Sequence, residues 1–373
     1  MSEVNSFFKD LEKQFANDLP FVVYSRPINS IIKCWLQKDA ALHRTNLFEE
    51  SGFVFAPFDL NDPAIVFPQD KCEHQILEVN QLDVDPLAIT TFSTNNTSRQ
   101  AHVNLVSEAV EAINKGPLKK VVLSRVESRP ADQINPIETF KRLFNTYKNA
   151  MVYCWYHPKV GLWLGATPEL LFKVEGSQLT AISLAGTQPY KDNSDPTWTS
   201  KELQEQQIVT DYIAEQVSLY SAQTKISETE SIKAGNLWHL KTRVTSVLHS
   251  TSKLKLIIEA LHPTPAVCGF PKQTAKDFIL SHEGYEREFY TGFLGELNLK
   301  QRMNRNTNRR NVENNAYASV KTNSNFYVNL RCMQIKDDKV LVYVGGGITE
   351  DSVPENEWEE TSNKAKTISN VLR

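Results

Sequence analysis

Short apolar runs broken by Pro, Asn and Asp dominate this 373-residue chain, and few are joined by helices at the spacing a parallel βαβ crossover requires. In the first hundred residues such runs lie at 21–23, 52–56 and 64–67. Further on, strands are read at 119–126, 151–157, 161–164, 169–174, 179–183, 233–240, 243–248, 326–335 and 339–344. Helical spacing appears at 100–115, where Gly116-Pro117 stops it, and at 136–147, 200–221, 254–260 and 273–283. Many strands with few tight crossovers predict an α+β fold with large antiparallel sheets and peripheral helices. The sequence has no fixed-period repeat.

Such a chain is long enough to bury a large core, as one large or two ordinary domains. Lys and Arg number 41 against 44 Asp and Glu, a net charge of −3 that argues against general nucleic-acid or membrane-surface binding. Cys34, Cys72, Cys154, Cys268 and Cys332 are odd in number, widely spaced and contain no C-x-x-C pair, which fits buried thiols in a reducing compartment. Residues 1–15 carry Glu3, Asp10 and Glu12 among apolar positions and read as an amphipathic helix, not a signal peptide. No apolar run approaches the ~20 residues of a membrane span. A soluble cytoplasmic protein is expected, a monomer or weak dimer. The segment 297–321 is basic and Asn-rich, but no aromatic appears before Tyr317, so a surface hairpin insertion fits it better than an RNA-binding loop.

The C-terminal thirty residues point to a small-molecule site. Gly345, Gly346 and Gly347 follow the alternating run 340–344, and are read as a bare turn at a strand end. Ser352 and Pro354 then open a helix that places Glu357, Glu360 and Lys364 on one face. Glu205, on the helix 200–221, offers a second carboxylate, and hard oxygen ligands of this kind suit Mg²⁺. Lys120, at the start of a strand, becomes a usable base if desolvated near other cations. Glu169 follows the turn Gly-Ala-Thr-Pro (165–168), and burial would raise its pKa enough for general-acid work. Arg331, within the strand-like 327–333, would take a carboxylate partner, from substrate or protein. His262 stands among three prolines in a rigid loop, where it donates to a ligand or caps a helix. Leu184, Ala185, Gly186 and Thr187 form a small-residue strand end able to offer N–H groups to an anion. There is no G-x-S-x-G, Walker A, H-E-x-x-H or dinucleotide-binding glycine pattern.

Taken in order, these segments resemble the chorismate-utilising enzymes. They are Lys-Val-Val-Leu-Ser-Arg (120–125), Gly-Ala-Thr-Pro-Glu (165–169), Leu-Ala-Gly-Thr (184–187), Lys-Glu-x-x-Glu-Gln-x-x-Val (201–209) and His-Pro-Thr-Pro-Ala-Val-x-Gly-Phe-Pro (262–271). Glu283-x-Tyr-x-Arg287-x-x-Tyr290-x-Gly292, Leu-Arg331-Cys, Gly-Gly-Gly-Ile (345–348) and Glu-Trp-Glu-Glu-Thr-x-x-Lys (357–364) complete the set. The resemblance covers roughly 100–373. It implies one α+β domain spanning 1–373, with two facing antiparallel sheets and helices outside, 1–100 being the variable part and 101–373 the motif-bearing part.

Within that family the chain is most similar to the isochorismate synthases of menaquinone or siderophore biosynthesis, because Lys120 marks the water-adding members. The resemblance implies that Lys120 is the general base and Glu169 the general acid. It gives Glu205 and Glu360 to Mg²⁺, and Gly186, Thr187, His262, Arg331, Gly345, Gly347 and Lys364 to the substrate chorismate. One departure is Gln206, where the family usually has His beside the metal-helix acid; another is the long insertion after Gly295. The rivals are salicylate synthase, which goes on to eliminate pyruvate, the ammonia-adding synthases, and a non-catalytic binding protein.

Overall fold

In the computed structural model, residues 3–84, 96–131, 134–189, 195–234, 237–250, 252–303 and 319–372 are described. Helix α1 (Glu3–Ala16) leads into β1 (Phe21–Ser25), β2 (Ile31–Gln37), β3 (Arg44–Thr45), β4 (Gly52–Ala56), β5 (Ala64–Pro68) and β6 (Cys72–Glu78). Then come α2 (Asn96–Lys115), β7 (Lys120–Pro130), α3 (Pro136–Thr146), β8 (Met151–His157), β9 (Gly161–Thr167), β10 (Leu170–Glu175) and β11 (Gln178–Pro189). Helix α4 (Ser200–Ser218), β12 (Ser221–Ile226), β13 (Glu230–Ala234), β14 (Leu237–Leu248), α5 (Leu254–Leu261), β15 (Gly269–Phe270) and α6 (Lys272–His282) follow. The chain closes with β16 (Phe293–Met303), β17 (Ser319–Val328), β18 (Cys332–Lys336), β19 (Lys339–Ile348) and α7 (Pro354–Ser369).

Two antiparallel sheets result. One runs β15-β7-β19-β18-β9-β8-β1-β2-β6; the other runs β12-β14-β11-β10-β17-β16-β4-β5-β3, with β13 also on β14. Many strands are apolar at consecutive positions because both faces are covered. In β8, Met151, Tyr153 and Trp155 point between the sheets, whereas Val152 and Cys154 point outward under α1, α3 and α7. In β4, Phe53 and Phe55 take the inner side and Val54 and Ala56 the outer side, with α4 and α5. The two-residue side-chain period thus feeds two cores from one strand. The α+β architecture with facing sheets agrees with expectation.

Three local readings change. The run 326–335 is not one strand: β17 ends at Val328 in one sheet and β18 begins at Cys332 in the other, with Arg331 between them at φ +47°. The glycine triplet is not a turn, since β19 continues through it, pairing Gly345, Gly346 and Gly347 with Ser124, Leu123 and Val122. Nor does Thr187 end a strand. β11 runs to Pro189 with a register shift between Ala185 and Thr187, and Gly186 takes φ +69° there. The arms of the insertion pair as a hairpin from Leu299–Asn323 to Met303–Ser319, while 304–318 lie outside the described residues.

Candidate active site

Two side-by-side crossovers build the site. β9 leaves its sheet through Pro168 and Glu169 to become β10 of the other sheet, and β17 returns the opposite way through Asn329, Leu330 and Arg331 into β18. The crossovers are stitched together by Val328 N–H donating to the Glu169 carbonyl at 2.9 Å and Ala166 N–H donating to the Arg331 carbonyl at 3.1 Å. Asn329 is fully buried; it accepts from the Tyr153 hydroxyl at 2.5 Å and donates to the Phe289 carbonyl at 2.9 Å. A carboxylate and a guanidinium are thereby held at the mouth between the sheets by backbone geometry.

They open into a cavity of about 280 Å³. Its walls include Glu169, Arg331, Gly186, His239, Glu202, Glu205, Tyr290, Tyr343, the three glycines of β19, and Glu360 and Lys364 of α7. Lys120 lies just behind that wall. Its side chain is fully buried and its Nζ donates to Glu205 Oε1 at 2.7 Å. A Cβ on Gly347 would sit 2.8 Å from Glu205 Oε1 and 3.2 Å from Lys120 Cε, so a side chain there would have to displace this pair. On α7, Lys364 Nζ pairs with Glu360 Oε1 at 2.7 Å and donates to the Gly345 carbonyl at 3.0 Å.

Burial pushes the Glu169 carboxyl up to about 7, against the pull of Lys120, Arg331 and Lys364. Burial also lowers the Arg331 guanidinium, with Tyr147 and Glu169 opposing it. Although burial pulls the Lys364 ammonium down, Glu360 carries it above its usual value. Glu202 lines the cavity yet is committed to the capping box of α4, accepting from Thr199 N–H at 2.8 Å, and such bonds outweigh burial to hold it low.

His262 is the clear correction. Its ring is 2 % exposed, packs edge-on against Phe293, and its Nε2 faces the carbonyls of Pro57 and Phe58, each at 3.2 Å. It does not line the cavity. Two carbonyl acceptors require Nε2 to carry the proton, and burial first, then Lys272, lowers the pKa to about 3, so a neutral imidazole pins the loop after β4. The histidine that does line the cavity is His239, opposite Thr187 in the β11–β14 ladder, with Nδ1 3.0 Å from the Gly186 carbonyl. Only its position across from the Leu-Ala-Gly-Thr segment could have marked it. Glu357 is buried under Gly346, where an added Cβ would be 3.4 Å from its Oε2. The Thr187 side chain lies outside the described residues. Cys268 is a buried thiol pushed up to about 11 by burial, hence protonated.

Two further groups support the walls. Arg287 donates to the Val122 carbonyl at 2.7 Å and the Val267 carbonyl at 3.1 Å, both on the cavity wall. Its buried partner Glu283 also accepts from Ser124 N–H and Oγ, so one ion pair locks β7 to the loop before β15. Gln206, next to Glu205, is 3 % exposed and donates to the Ser183 carbonyl at 3.1 Å and Thr242 Oγ1 at 3.0 Å, fixing α4 on β11 and β14.

Comparison with known proteins places this geometry among enzymes acting on chorismate. A family model described as "Chorismate binding enzyme" matches residues 65–304, and a second, "chorismate binding enzyme", matches 315–370. The chain is 30% identical over 285 residues to isochorismate synthase DhbC of Bacillus subtilis (71% of this chain, 66% of that protein). It is 27% identical over 276 residues to the salicylate biosynthesis isochorismate synthase of Pseudomonas aeruginosa (72% and 53%). The matches to these two relatives thus span 66% and 53% of their lengths. Among solved structures, that of DhbC from Bacillus anthracis superposes with a TM-score of 0.75 at 25% identity, over 97% of this chain and 99% of that one. The menaquinone-specific isochorismate synthase MenF of Escherichia coli shares the fold with a TM-score of 0.73 at 20% identity, over 95% and 89%.

Proposed function

The chain belongs to the chorismate-binding enzymes, and from that premise we propose that it is an isochorismate synthase, a Mg²⁺-dependent isomerase of chorismate. The observation that carries the reading is a carboxyl moved up to about 7 in a cavity whose wall covers a fully buried lysine. Acid and base roles need groups placed differently on the pH scale, and one cavity supplies an acid that stays partly protonated at neutral pH.

In this reading Lys120 acts as the neutral amine, released from Glu205, and its Nζ takes a proton from a water as the water's oxygen bonds to C2 of the ring. Both ring double bonds shift by one bond, C1=C2 to C1=C6 and C5=C6 to C4=C5, the C4–O bond breaks, and the departing hydroxyl leaves as water with the proton from Glu169. One water enters and one leaves, so the product is an isomer. Arg331 and Lys364 supply the positive charge that a dianion needs, and the crossover fixes Arg331 by its backbone.

The donor set fits Mg²⁺. Glu205 and Glu360 reach one cavity from two helices and offer oxygen ligands only, which leaves positions for water and substrate oxygens. When bound, the cation would neutralise a substrate carboxylate.

Replacing Lys120 by Gln tests the base: chorismate binding, followed by calorimetry, stays nearly intact while turnover is lost. Substantial isochorismate formation by that variant overturns the role of Lys120. Addition of EDTA to the parent protein is expected to abolish product, and salicylate with pyruvate as products would instead assign a salicylate synthase.

A further inference from the structure

Both carboxylates assigned to the cation are already engaged by an ammonium. Lys120 reaches across from β7 to Glu205 on α4, and Lys364 pairs with Glu360 one turn earlier on α7, each at 2.7 Å. We propose that these two lysines are resident competitors for the divalent cation, so that it enters by displacing an ammonium from each carboxylate. The inference rests on the reading of Glu205 and Glu360 as metal ligands.

An ammonium and a hard cation seek the same carboxylate oxygens, and poor solvent access makes the contest matter. Lys120 is 0% exposed and Glu205 20%, so water screens their attraction weakly. The other pair is more exposed, at 27% and 37%. The two lysines also differ in what remains after release. Lys364 keeps the Gly345 carbonyl at 3.0 Å, whereas among the described residues Glu205 is the only hydrogen-bond acceptor of Lys120 Nζ. Displacing Lys120 is therefore the harder step, because it strands a buried charge.

Metal affinity itself gives the readout. Mg²⁺ alone is titrated calorimetrically into the parent and into Lys120→Met, Lys364→Met, Arg331→Met and Glu205→Gln, with Mn²⁺ and its electron paramagnetic resonance signal as a second measure. Lys120→Met is expected to bind Mg²⁺ roughly tenfold more tightly, and Lys364→Met by about threefold, where tenfold equals about 1.4 kcal/mol. Arg331→Met removes a cation from the same cavity without uncovering either carboxylate, and is expected to change affinity less than about twofold. Unchanged or weaker binding in Lys120→Met and Lys364→Met overturns the proposal. Equal tightening in all three cation variants also overturns it, since the effect would then be the general field. If Lys120→Met does not fold, Lys364→Met against Arg331→Met decides alone. Undiminished binding by Glu205→Gln removes the metal-site reading itself, a different failure.

Discussion

A carboxyl poised at about 7, as in Glu169, changes charge in the range where most enzymes work, and that fixes two pH dependences. As general acid it must be protonated, so kcat/KM for chorismate is expected to fall as pH rises through about 7. Glu169→Gln should remove that limb and slow the reaction roughly 10²–10⁴-fold. Stability runs with the same sign. The folded-state value is raised from 4.5, so the proton favours the fold, fully below about 4.5 and progressively less as pH rises through about 7. At about 1.4 kcal/mol per unit, the charged form destabilises the fold by up to roughly 3 kcal/mol. Thermal melts should find Glu169→Gln more stable than the parent at pH 8 and indistinguishable at pH 4; equal stability at both would contradict the burial argument. At this scale the sequence named Lys120, Glu169, Arg331 and Lys364 through their motifs. It could not reveal the pairing of Lys120 with Glu205, because 85 residues separate them and only the fold joins them. The place of His262 was equally hidden, since its acceptors are two carbonyls about two hundred residues away.

The elements position these groups, and glycine and glutamine carry most of that work. Gly347→Ala would drive a methyl against Glu205 Oε1, 2.8 Å away, and against Lys120. A displacement of about 1 Å in reacting groups can cost 10²-fold, so turnover should fall at least about a hundredfold while circular dichroism stays that of the parent. Retained activity would show that the pair need not be held so closely. Gln206→Ala removes two bonds between α4 and its sheet and should lower stability by about 1–3 kcal/mol in denaturant unfolding. A change below about 0.5 kcal/mol would contradict a locking role for that amide. Most strands and helices were legible from apolar periodicity. The strand break before Arg331 was not, because Leu330 continues the apolar pattern and the switch between sheets is a tertiary event. The triplet misled for a related reason. Glycine usually marks a turn, but in β19 it makes room for side chains arriving from α4 and β7.

Across the whole molecule, the N-terminal hundred residues are woven into both sheets. β1 pairs with β8 and β4 pairs with β16, joining each to a strand from the motif-bearing part. We therefore expect one cooperative unit, as the resemblance implied. A chain beginning at residue 96 would expose the edges of β8 and β16 and should be insoluble or molten, which near-ultraviolet circular dichroism would report. Native-like signals from that shortened chain would restore a separable N-terminal domain. The two-sheet plan was readable in outline from strand number and spacing. Which strands neighbour which was not, because register and order follow from packing on both faces.

The central claim is the addition of water to the chorismate ring by this chain. The most direct test is to incubate the purified protein with chorismate and Mg²⁺ in ¹⁸O-labelled water and to identify the product by chromatography and mass spectrometry. The account predicts isochorismate carrying one solvent-derived oxygen. Unlabelled isochorismate, or chorismate left unconsumed, would contradict it.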